Sequence, residues 1–143
     1  MASDQELIDG LNEDLSFEYA AIITYRTYAS QVQGQWRVEL RGFFETEIPD
    51  ELGHAQLLAD KIVALGGTPT TRAADVKPAK NARQMLENTL ADEVATLERY
   101  VTRRKLAEEL GHYGLAVDLD DIIRDESNHR DEIGMILRRW DEG

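Results

Sequence analysis

Glu-x-x-His occurs twice in this chain, at Glu51 to His54 and at Glu126 to His129, 75 residues apart. A single Glu stands 33 residues before each copy, Glu18 before the first and Glu93 before the second. Three residues thus recur at one offset with unchanged side-chain type. Residues i and i+3 share one face of a helix, so each Glu-x-x-His presents a carboxylate and an imidazole side by side. A chain built this way must fold as two related halves that bring both sets to one place.

The duplication reaches beyond these six residues. Leu11 corresponds to Leu86, Leu15 to Leu90, Tyr25 to Tyr100, Ile48 to Ile123 and Asp50 to Asp125, while Ile62 and Leu137 match in character. Each half reads as a helical hairpin, and the halves as copies related by a pseudo-two-fold axis crossing the molecule.

Four helices are predicted. Ser3-Asp4-Gln5-Glu6 is a capping box, and Leu7, Leu11, Leu15, Ile22, Tyr25 and Ala29 continue at helical spacing, giving helix A over about 4–32. Helix B covers about 35–65, with Trp36, Leu40, Phe43, Phe44, Ile48, Leu52, Leu57 and Ile62 as its apolar stripe and Gly66-Gly67 as its stop. Helix C covers about 81–110 and helix D about 113–140. Pro49 lies inside helix B, where it removes a backbone donor and is expected to kink or bulge the helix. The only long connection is 66–79. Its fourteen residues reach roughly 45 Å when extended, about the length of a thirty-residue helix. It can therefore run the length of the bundle and leave B and C parallel. The expected fold is all-α, a single ferritin-like four-helix domain of two antiparallel hairpins joined by a long crossover.

Bulk properties narrow the function. The 143 residues suffice for one domain with a real core, and no apolar run approaches the ~20 residues of a membrane span. Net charge is −12, which disfavours nucleic acid as a partner and favours attraction of cations. There is no Cys, hence no disulfide and no thiolate ligand. The polar, acidic start of the sequence is unlike a secretory leader. A cytoplasmic protein with no membrane partner is expected.

Glu18, Glu51, His54, Glu93, Glu126 and His129 form the candidate metal and catalytic set. All six fall near mid-helix and should meet at one level in the core. Four carboxylates buried among apolar side chains need compensation, and two divalent cations supply a matching charge. Imidazole with oxygen donors suits iron or manganese, with zinc as a possible substitute. Asp50 and Asp125 each precede a His by four residues on the same helical face, so they can accept its outer imidazole N–H, although a surface carboxylate is the plain alternative. Tyr25 and Tyr100, two turns past Glu18 and Glu93, can hydrogen-bond a ligand or give up an electron, or else simply pack. Trp36 and Trp140 read as packing or interface residues, and His112 as structural. Glu47 breaks the repeat, its counterpart being Ile122. Glu45, Glu47 and Asp50 are a candidate relay for iron, against a plainer reading as a solvated acidic face.

These motifs resemble the ferritin-like di-iron family, most closely its bacterioferritin branch, over about residues 4–140. The segment from Glu51 through Gly66-Gly67-Thr68-Pro69 is similar to the end of helix B in that branch. The resemblance implies that the six residues form a ferroxidase centre holding two Fe ions per subunit, which oxidises Fe²⁺ with O₂ or H₂O₂ inside a homo-oligomeric shell that stores the product. Bacterioferritins bind haem through a Met directly after the helix-B Glu. Leu52 holds that position here, so haem by that route is not expected. The fifth helix of that branch is not expected either, because the sequence stops fourteen residues past His129. In this the chain is similar to Dps-like mini-ferritins, so a dodecamer is favoured over a 24-mer. DNA binding in that group tends to use basic tails, which this sequence lacks. The alternatives are a rubrerythrin-like peroxidase or oxidase without storage, although Thr96 stands where that family adds a carboxylate, and a structural bundle with a vestigial site.

Overall fold

The computed structural model describes residues 1–142. Four helices follow in order: α1 (Asp4–Gln31), α2 (Arg37–Ala64), α3 (Ala82–Glu109) and α4 (Tyr113–Leu137). Among the described residues there is no strand, and no helix is long and apolar enough to cross a membrane.

Local chemistry sets the helix ends. Ser3 Oγ accepts from the Glu6 N–H at 3.2 Å and opens α1, as the capping box predicts. The Asn81 side chain accepts from the Gln84 N–H at 2.9 Å and opens α3; each bond satisfies a donor that has no partner within its own helix. Helix α2 runs on through Pro49 without interruption, so the helix predicted on both sides of the proline is continuous. Proline withholds one hydrogen bond, but its flanks remain helical because buried residues continue on both sides. Helix α4 ends three residues earlier than the sequence suggests. Arg138 is extended (φ −63°, ψ 121°) and Arg139 is left-handed (φ 68°). This reversal brings the 3-10 turn Trp140–Glu142 back, so that Trp140 packs on the core beside Trp36 and Phe43.

Two apolar clusters show how the helices run. One joins Leu7 and Leu11 at the start of α1, Leu58 and Ile62 late in α2, Ala107 late in α3, and Leu115 and Leu119 early in α4. The other joins Tyr28 and Val32 from the end of α1, Leu40 and Phe44 early in α2, Leu86 early in α3, and Ile133 late in α4. Helices α2 and α3 are therefore parallel, as the length of the connection requires. Exchanging the halves exchanges the clusters, so the pseudo-two-fold axis passes between them.

The crossover lies along α1. Asn12 clamps its beginning through Thr68 O and the Thr70 N–H at 3.0 and 2.8 Å. Ala74 N–H donates to Ser16 O, and Tyr28 Oη donates to Lys77 O at 2.7 Å. At one end of the bundle, His112 Nε2 lies 2.8 Å from Asp4 Oδ1, tying α4 to α1. Its role is structural, as expected. A buried ion pair that the repeat does not signal joins Arg103 to Asp14 at 2.8 and 3.1 Å. Gly10 makes room for it, since a Cβ there would collide with the guanidinium.

Candidate metal centre

The gap between the two clusters is filled by the six residues that the repeat singles out. Each helix contributes from its middle: Glu18 from α1, Glu51 and His54 from α2, Glu93 from α3, Glu126 and His129 from α4. None is more than 7% exposed. Their donor atoms form two overlapping groups, Glu18, Glu51, His54 and Glu126 in one, and Glu51, Glu93, Glu126 and His129 in the other. Within each group the ligand atoms lie within 4.8 Å of one another. Glu51 and Glu126 belong to both.

Both imidazoles turn Nδ1 inward. His54 Nδ1 stands 3.2 Å from Glu126 and 3.6 Å from Glu18. His129 Nδ1 stands 3.5 Å from Glu51, 3.6 Å from Glu126 and 3.8 Å from Glu93. The outer nitrogens are held by carboxylates, and here the expected wiring is corrected. Asp125 bonds not to His129 on its own helix but to His54, at 3.0 Å. Asp50 likewise bonds to His129, at 3.0 Å. Each Asp shares a helix face with the His four residues on, yet its carboxylate bonds the ring on the opposite helix. The tyrosines cross over too. Tyr25 donates to Glu93 at 2.9 Å, and Tyr100 donates to Glu18 at 2.6 Å. Burial, followed by the nearby carboxylates, pushes both phenols well above their ordinary range, so both are neutral donors.

Glu47 is no part of a solvated face. It is buried, with Oε2 2.7 Å from His129 Nε2, and it forms a further acidic group with Asp50 and His129. Glu45 points elsewhere: it is exposed and paired with Arg41 and Arg26. The suggested relay of three is therefore at most two. Because Ile122 occupies the matching place in the other half, His54 has one outer carboxylate where His129 has two.

The electrostatics follow from crowding. Burial, and then Glu18 and Glu126, pushes Glu51 well above the usual carboxylate range; burial, and then Glu93, does the same to Glu126. Burial works against charge on Glu93 as well, but the adjacent Glu126, His129 and Tyr25 outweigh it and leave that group low. Burial pulls both imidazoles down. Glu126 and Glu18 override it at His54, Glu47 and Glu93 at His129, and each ring rises to about 11. Without a metal, protons and imidazolium charge must stabilise the carboxylates.

The donor set fits two metal ions. Glu18 Oε2, Glu51 Oε1, Glu93 Oε2, Glu126 Oε1, His54 Nδ1 and His129 Nδ1 are all buried, and none makes a hydrogen bond. Orphaned polar atoms are rare in protein interiors and call for a partner. Here six of them point at one another across the same small space.

A four-helix bundle with a carboxylate and histidine cradle split between two hairpins defines the ferritin-like class. Residues 8–142 match the ferritin-like domain family. Bacterioferritin BfrA of Mycobacterium tuberculosis is 31% identical over 144 residues, covering 99% of this chain and 90% of the relative. A ferritin-like di-iron carboxylate protein of Bacillus anthracis superposes with a TM-score of 0.93 at 49% identity, over 96% of this chain and 99% of the other. The bacterioferritin of Desulfovibrio desulfuricans, solved with its di-iron site in different catalytic states, gives a TM-score of 0.90 at 26% identity, over 97% of this chain and 82% of the other. The chain belongs to the ferritin-like family and stands close to its bacterioferritin and di-iron carboxylate members.

Proposed function

We propose that this protein handles iron through a di-iron ferroxidase centre. Glu18, Glu51, His54 and Glu126 would hold one ferrous ion, and Glu51, Glu93, Glu126 and His129 the other. Two ferrous ions would give up one electron each, which with two protons reduce O₂ to H₂O₂ or H₂O₂ to two waters. The observation that carries this reading is that Glu51 and Glu126 belong to both donor groups, with an imidazole Nδ1 at each end. Paired ions matter because a two-electron step avoids releasing a half-reduced oxidant. Asp125 and Asp50 fix the imidazole orientations, and Tyr25 and Tyr100 hold Glu93 and Glu18 in place. Glu47, beside His129, would pass iron to or from the centre.

The bacterioferritin relationship favours storage of the ferric product in a homo-oligomeric shell. We favour a dodecamer, with a 24-mer as the alternative. Manganese or zinc would compete for the same donors. Leu52 is exposed on α2 and offers no thioether, so no haem role is proposed.

The test is anaerobic loading with Fe²⁺ followed by oxygen, with absorbance and particle mass followed together. Glu18→Ala and Glu126→Ala should each abolish rapid oxidation. Full activity in both variants would defeat the assignment. Rapid oxidation by a small particle that accumulates no iron would instead favour an oxidase or peroxidase without storage.

A further inference from the structure

A cavity of about 210 Å³ leads from the surface between α1 and α3 down to Glu18, Glu51, Glu93 and Glu126. Its walls are Ala20, Ala21, Ala95, Thr24, Thr89 and Thr96. The three hydroxyls are already engaged. Thr24 donates to Ala20 O at 2.7 Å and Thr89 to Leu86 O at 3.0 Å. Thr96 Oγ1 accepts from Arg99 Nη2 at 2.9 Å. At the mouth, Lys77 from the crossover pairs with Asp92 at 2.7 Å, and the Arg99 guanidinium stacks 3.6 Å over the Phe17 ring. Asp75 completes the rim, so two cations offset two carboxylates.

We propose that this shaft is the route of the uncharged oxidant and that it excludes ferrous ions. This inference rests on the ferroxidase reading above. A divalent cation sheds hydration only where oxygen ligands replace it. Between the rim and the four Glu there is no carboxylate, and three neutral threonine hydroxyls are too few and too weak to replace a hydration shell. At the rim Lys77 and Arg99 stand against Asp92 and Asp75, so the entrance itself adds no excess of negative charge to draw the ion in. A small neutral molecule such as O₂ or H₂O₂ incurs neither penalty. The opposite face of the centre is different. There Asp50 and Asp125 are about half exposed and reach the outer imidazole nitrogens, beside buried Glu47. That acidic side is where cation attraction is concentrated. Ala21, Thr96, Lys77 and Arg99 are thus specificity-determining residues for the oxidant.

Two plugs from opposite walls, Ala21→Phe and Thr96→Phe, test this; using both guards against one variant failing to fold. Cobalt uptake by the metal-free protein is followed by its visible absorbance in stopped flow. Oxidation of ferrous-loaded protein is then measured against oxidant concentration. The plugs should raise the KM for oxidant by about tenfold or more and leave the cobalt on-rate within about twofold of the parent. Cobalt entry slowed by the plugs, whether or not oxidation slows with it, would overturn the assignment, as would an unchanged KM in both variants. If the parent protein itself takes up no cobalt, the metal-centre reading fails first, and that result is distinct from the others.

Discussion

His54 on α2 is held by Asp125 on α4, its Nε2 3.0 Å from Oδ2. The reciprocal pair, His129 with Asp50, is set at the same 3.0 Å. Each imidazole is thus oriented by the other half of the molecule. Asp125→Asn should therefore weaken metal binding at the His54 position, and Asp50→Asn at the His129 position. The expected loss is about 10–100-fold per site. Stepwise cobalt titration against a competing chelator reads which step moves. A loss confined to the imidazole on the mutated helix would contradict the crossed arrangement.

Glu47 makes the two ends of the cradle unequal. The carboxylate 2.7 Å from His129 Nε2 has an apolar counterpart, Ile122, beside His54. Two cations should consequently bind with different affinities in the parent protein. Glu47→Gln should narrow that difference by about tenfold, visible as two titration steps merging towards one.

Protons and metals compete for the same atoms. His54 and His129 titrate near 11 in the metal-free fold, against an ordinary 6.5. A group whose folded value is raised contributes stability that is complete below its unfolded value and is lost as pH climbs towards the folded one. Glu51 and Glu126, raised from 4.5, act in the same direction. The melting temperature of chelator-treated protein should fall as pH rises from about 6.5 towards about 11. Metal loading should release protons and flatten that slope. Calorimetric titration in buffers of different ionisation enthalpy counts the protons, and a count of zero would contradict the imidazolium assignment.

Arg103 and Asp14 form a pair whose members depend on each other. Arg103→Ala leaves a buried carboxylate without its partner and should cost about 3–5 kcal/mol. Replacing both members with apolar residues of similar volume should restore most of that loss. Gly10→Ala should also destabilise, because the new methyl displaces the guanidinium. Chemical denaturation of the metal-loaded protein compares the four forms.

What could be read from the sequence was whatever the repeat carries. The six central residues, the four helices and the parallel course of α2 and α3 all follow from one offset and one connection length. The features that escaped depend on position across the bundle rather than along it. Asp50 shares a face with His54, so sequence spacing pairs them, whereas the approach of α4 decides otherwise. The Arg103 and Asp14 pair sits where the repeat fails, opposite Tyr28 and Thr89, and a broken repeat gives no clue to what replaces it. Glu47 looked like one acid among many because its burial depends on the imidazole across the interface. The early end of α4 comes from Trp140 folding back, a tertiary contact without local signature.

The reciprocal wiring makes neither half sufficient by itself. One hairpin alone holds an imidazole but lacks the aspartate that aims it, and holds a glutamate but lacks the tyrosine that steadies it. Two identical hairpins facing each other would supply every missing partner. A symmetric pair of short chains would meet the same requirements, and the unlike residues at 47 and 122 mark where the two halves no longer match.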